Sequence, residues 1–147
     1  MAIQNTAGAA PEASSKAVVE QRTRGYLRVC VALQTAAVFF QAVTAGLLLS
    51  TSYGETLHSV GARVMYGAAM LYLLAAVLAW RPGGGSPRPI LYASGFLVLA
   101  SAQVVLGVAH VPSVHVPLGV LIFGLSLAVL ARMPAARTDQ RTAGPRG

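Results

Sequence analysis

Charge is what this sequence has least of. Only 10% of its 147 residues are Asp, Glu, Lys or Arg, less than half the usual share of a soluble domain. That scarcity argues against a soluble enzyme, a disordered chain and a nucleic-acid binder, despite a net charge of +7. Cysteine is nearly absent as well. Cys30 stands alone, so no intramolecular disulfide or cysteine metal cluster can form, and a small buried apolar side chain is the expected role. Lysine is represented by Lys16 only, against ten arginines. Together with abundant Ala and Gly, that ratio suits a GC-rich bacterial genome.

What is present is apolar, at 55% of the chain. It falls in four runs, about 26–49, 57–80, 90–109 and 114–131, each near the ~20 residues that cross a bilayer. Lipid satisfies no exposed strand edge, so all four should be helices. The link Arg81-Pro-Gly-Gly-Gly-Ser-Pro-Arg-Pro89 must be a loop. Ser50–Thr56 and His110–Ser113 are short links, which make neighbouring helices antiparallel. The expected fold is an all-α transmembrane bundle running up, down, up, down. A four-helix domain over 22–133 would sit between a disordered tail (1–21) and a second loose tail (134–147).

The basic residues orient this bundle. Lys16, Arg22, Arg24 and Arg28 precede the first run; Arg81 and Arg88 lie in the middle loop; Arg132, Arg137, Arg141 and Arg146 follow the fourth. All ten fall on one side, and the opposite links hold neither Lys nor Arg. By the positive-inside bias both termini are expected in the cytoplasm of a multi-pass plasma-membrane protein.

The two helical hairpins look alike. His58 and Gly67 in the second run are spaced as His115 and Gly124 are in the fourth, with an aromatic before each Gly. Gln41 and Gly46 upstream parallel Gln103 and Gly107. A helix-hairpin repeat with its two histidines 57 residues apart would be related by a pseudo-twofold axis along the membrane normal.

That repeat places the chemistry. The second and fourth helices of an up-down bundle are diagonal, so His58 and His115, at equal depth near the outer side, can face each other through the axis. Two imidazoles so placed suit the iron of a haem, whose flat face wants an apolar slot. Gly61 and Gly119, one turn on from each His, would make room. His58, Gly61, Met65 and Tyr72 share one stripe, as do His115, Gly119, Ile122 and Ser126. Zinc fits less well, with three His, one nearby acid and no Cys among the candidates. Other roles stay open. His110 could be an alternative ligand, a proton relay or a loop residue. Glu55 could be a proton relay, could orient the imidazole, or could simply favour the positive end of its helix dipole. Arg63 lies about 7 Å deeper by helix rise; it could meet a haem propionate or Glu55, or snorkel outward. Gln34, Gln41 and Thr44 share a face of the first helix and Gln103 sits mid-third-helix. Such side chains hold helices together or touch a cofactor.

These residues resemble one four-helix half of the haem A synthase family. Glu55-Thr-Leu-His58 looks like that family's Glu-x-x-His at the outer start of a second helix. Gln103-Val-Val-Leu-Gly107, followed by His115, looks like its Gln-x-x-Leu-Gly…His pattern. The resemblance spans roughly Leu33 to Leu130 and implies a b-type haem between His58 and His115; were the chain an enzyme, it would be a related membrane oxidoreductase. The sequence supplies one half rather than two, and the Ser50–Thr56 link lacks the cysteine pair of many members. With both axial positions filled by imidazole, electron transfer or haem handling is the expectation, with a membrane redox partner or a homodimer. Two other readings are a cofactor-free accessory subunit of a larger complex, and a small transporter or channel lined by Gln41, Gln103 and Arg63.

Overall fold

The computed structural model describes residues 9–81 and 84–134. They form four helices: α1 (Ala9–Leu48), α2 (Gly54–Trp80), α3 (Arg88–Val108) and α4 (Pro112–Arg132). All four are long and apolar enough to cross a membrane, as a bilayer environment for these runs requires. Three of the four match their sequence-based bounds within a few residues.

The first helix differs. The sequence places a disordered tail over 1–21, whereas the structure carries α1 back to Ala9. Between Ser14 and Arg24 the chain is Ala, Ser, Lys, Val, Glu, Gln, Thr and Arg. Several of these are good helix formers, and they extend a helix already nucleated in the apolar run at little cost. An Arg24–Glu20 ion pair one turn apart adds to it. Forty residues make about 60 Å of helix, twice the ~30 Å of a hydrocarbon core, so α1 outruns its span at the arginine-bearing end. The expected tail segments 1–8 and 135–147 lie outside the described residues.

Local chemistry sets the other helix ends. α3 and α4 each begin with proline in the first turn, where a missing N–H costs nothing. Gly54 lets α2 start directly against α1, because a β-carbon there would run into the Leu47 carbonyl. At the end of α3, the Val111 amide donates to the Leu106 carbonyl and the His110 amide to Gly107. That is a Schellman closure, with His110 at φ 54° in the position that usually holds glycine.

Around the bundle, α1 packs on α2 and α4, and α3 packs on α2 and α4. Among the described residues the backbones of the diagonal pairs α1/α3 and α2/α4 stay apart, so only long side chains reach across. The large aliphatics point outward, Leu91 and Val98 being about 70% exposed (73% and 68%), as a lipid-facing surface allows. The interior mixes apolar side chains, many of them alanine, with a few buried polar groups. α2 buries Gly61, Met65, Ala69, Tyr72, Ala76 and Ala79, a three-to-four spacing that makes one stripe. Each helix–helix interface also carries a polar bond. Thr35 and Ser126 join α1 to α4 at 2.6 Å, and Tyr66 and Ser101 join α2 to α3 at 3.2 Å. The other two interfaces are joined through the histidines described next. Small interior residues with interhelical hydrogen bonds are how helices associate where lipid removes the hydrophobic drive. At the arginine-bearing end, the Arg28 guanidinium donates to the Met133 carbonyl and ties α1 to the end of α4.

Candidate functional site

The diagonal topology brings His58 of α2 and His115 of α4 together at the end of the bundle formed by the two short links. Their ring centres are 6.3 Å apart, with the planes at 67°. A metal held at about 2 Å from one nitrogen of each ring would put the ring centres roughly 6 Å apart.

Each ring is held through its other nitrogen. His115 Nδ1 lies 3.1 Å from the Gln103 carbonyl of α3. A carbonyl only accepts, so Nδ1 carries the hydrogen and Nε2 keeps its lone pair. Gly107, one turn on in α3, lets the ring lie close: a β-carbon there would sit 3.4 Å from His115 Cε1. His58 Nδ1 lies 3.1 Å from the Thr44 hydroxyl of α1. That hydroxyl also lies 3.0 Å from Gln41 Oε1 and 3.1 Å from the Gln41 carbonyl. Both of those atoms accept, so the single hydroxyl hydrogen goes to Gln41 and the oxygen accepts from His58 Nδ1. Both histidines are thereby held in the form whose Nε2 is a metal ligand. Such hydrogen bonds orient ligating imidazoles and strengthen them as donors.

The two glycines have a more particular role than open space. A β-carbon on Gly61 would meet Gln41 Oε1 at 2.6 Å, and one on Gly119 would meet Gln103 Nε2 at 2.8 Å. Each glycine seats a glutamine amide from the neighbouring helix, the same device in both hairpins. Gln103 is 8% exposed, and its side-chain oxygen finds no partner among the described residues. Two neutral imidazoles facing each other are a donor set that fits a haem iron. Among the described residues no cluster of three or more His, Cys, Asp or Glu is present; a two-imidazole axial site needs none.

The remaining candidates lie away from this pair. Arg63 is exposed on α2, two residues from buried Gly61 and therefore on the far side of the helix. Among the described residues the one ion pair is Arg24–Glu20, so Arg63 meets neither Glu55 nor the histidines; it faces outward, where a long side chain snorkels. Glu55 is exposed in the first turn of α2, where a carboxylate favours the positive end of the helix dipole. His110 is exposed, with Nδ1 2.9 Å from the Val108 carbonyl, and its place is in the turn that ends α3. Met65, Tyr72, Ile122 and Ser126 are buried along the same stripes as the histidines. Gln34 is 2% exposed with neither amide atom partnered. Between α1 and α4 the helix-joining role expected of Gln34 is taken by its neighbour Thr35.

Sequence reasoning missed the partners of the two imidazoles. Thr44 looked like a helix-packing residue, and no side-chain pattern announces the Gln103 main-chain carbonyl. The signal available was the tightness of the His110–Ser113 link, which sets α3 against α4 closely enough to put residues 103, 107 and 115 side by side. Compared with models of protein families, with characterised proteins and with solved structures, the chain matches none.

Proposed function

We propose that this protein is an integral membrane haem b-binding protein, with His58 and His115 as the two axial ligands, serving electron transfer or haem handling. The observation that carries the reading is the pair of imidazoles from diagonal helices, 6.3 Å between centres, each with Nδ1 engaged and Nε2 without a hydrogen-bond partner among the described residues. The resemblance to one half of the haem A synthase family supports it through Glu55, His58, Gln103, Gly107 and His115. Haem b, when bound, supplies a one-electron ferric–ferrous couple. The chain's own residues do the rest. The Gln103 carbonyl and the Thr44 hydroxyl fix the tautomer and direction of each ring. Gly61 and Gly119 seat the Gln41 and Gln103 amides beside the pair. Were His58 and His115 both to hold the iron, no position would be left for oxygen chemistry, which favours electron transfer over hydroxylation.

Orientation follows from the arginines. Both termini would lie in the cytoplasm of a plasma-membrane protein by the positive-inside bias, placing the histidine pair near the outer face, within reach of a membrane redox partner or a second copy of the chain. The test is the reduced-minus-oxidised spectrum of protein purified from haem-replete cells. A b-type signal that disappears in the His58→Ala/His115→Ala double variant is expected. No signal from the wild-type protein, or one that survives in the double variant, would overturn the proposal.

A further inference from the structure

The two imidazoles have unequal supports, and the inequality can be read residue by residue. His115 Nδ1 donates to a main-chain carbonyl, Gln103 O, at 3.1 Å. No side-chain substitution removes that acceptor. His58 Nδ1 instead donates to Thr44 Oγ1 at 3.1 Å, and the Thr44 hydrogen is shared between the Gln41 amide oxygen at 3.0 Å and the Gln41 main-chain carbonyl at 3.1 Å. Thr44 is completely buried, so water does not replace the contact. Gly61 leaves the gap in which the Gln41 amide sits.

The geometry points to Thr44 as a positioning residue for His58, with Gln41 behind it, so that a removable hydroxyl acts on one imidazole beside the Gln41 backbone, while the other leans on the Gln103 carbonyl. The inference rests on the haem reading above. An imidazole whose Nδ1–H is donated to an acceptor is a stronger donor through Nε2, and a stronger donor favours ferric over ferrous iron. A hydroxyl that has already given its hydrogen to Gln41 is a better acceptor than a free one, because hydrogen bonds in a chain polarise one another. Gln41 therefore acts on the ligand through Thr44.

The experiment is a redox titration, with electron paramagnetic resonance of the ferric form, on purified full-length protein. Thr44→Val keeps the shape and deletes the hydroxyl. It is expected to raise the midpoint potential, weakening the ferric preference by about tenfold, which is about 59 mV for a one-electron couple. Thr44→Ser restores the hydroxyl and should return the potential to near the wild-type value. Gln41→Leu should move it in the same direction as Thr44→Val by a smaller step, and keeps the question answerable if Thr44→Val fails to fold. Potentials and ferric spectra unchanged in Thr44→Val and Gln41→Leu, with the bis-imidazole signal intact, would overturn the positioning role and leave the haem reading standing. Absence of a haem signal in the wild-type protein would overturn both.

Discussion

In the first hairpin the ring of His58 is met by a side chain, Thr44; in the second, the ring of His115 is met by the main chain at Gln103. The rest of the comparison is closer. Both hairpins seat a glutamine amide over a glycine one turn on from the histidine, Gln41 over Gly61 and Gln103 over Gly119. In the first hairpin the amide over the glycine is joined to the imidazole through Thr44. In the second the backbone of Gln103 holds the ring, and its amide oxygen is left without a partner. Similar sequences thus hold the two rings through different partners, and substitutions in the two halves should differ accordingly.

The largest effect should come from the ligands. His58→Ala and His115→Ala are each expected to lower haem affinity by more than about 100-fold, because altering outer-shell partners alone costs 10–100-fold; spectrophotometric haem titration measures it. A single variant that binds as well as wild type would mean that its hairpin does not contribute a ligand. Gly54→Ala should be next. Its β-carbon would collide with the main chain of α1, and overpacking costs roughly 1–3 kcal/mol, read as lost stability in reversible detergent unfolding. Gly107→Ala, the nearest counterpart in the second hairpin, adds only an ordinary contact with the His115 ring and should stay within about 0.5 kcal/mol of wild type.

Smaller effects sharpen the contrast. His110→Gly relieves a left-handed backbone position and should stabilise the fold by roughly 0.5–1 kcal/mol without altering any haem spectrum; a changed spectrum would reinstate His110 as a ligand. Thr35→Val deletes the bond to Ser126 and should cost about 0.6 kcal/mol, the average for such bonds in membrane bundles. Gly119→Ala should barely affect stability, since its new methyl meets only the movable end of Gln103, whereas Gly61→Ala also crowds the Phe40 ring at 3.3 Å and should cost somewhat more. Their potentials should separate them. Gly61→Ala disturbs the chain to His58, whereas Gly119→Ala shifts an amide that does not bind His115.

The bundle was readable in the sequence because four apolar runs, two short links and one-sided arginines leave few ways to cross a bilayer. The helix that begins at Ala9 was not, because a polar stretch rich in Ala, Glu, Lys, Gln and Arg is equally consistent with a tail until a neighbouring apolar helix extends it. The meeting of His58 and His115 was readable from topology, since diagonal helices of equal depth must face each other. Arg63 was harder to place. Depth alone made it a candidate, but its two-residue offset from Gly61 puts it on the outward face. The acceptor for His115 is a backbone atom, which composition and spacing do not reveal. Thr44 and Gln34 share a helix with similar polar neighbours, and only packing separates the one that touches an imidazole from the one whose amide finds no partner.

The central claim is that one nitrogen from each hairpin reaches a single iron. Pulsed electron paramagnetic resonance of the ferric protein, carrying ¹⁵N-labelled histidine and haem at natural abundance, tests it most directly. The account predicts a low-spin signal coupled to two labelled axial nitrogens, one lost with His58→Ala and the other with His115→Ala, and both retained in His110→Ala. A high-spin signal, or coupling to fewer than two histidine nitrogens in the wild-type protein, would contradict it.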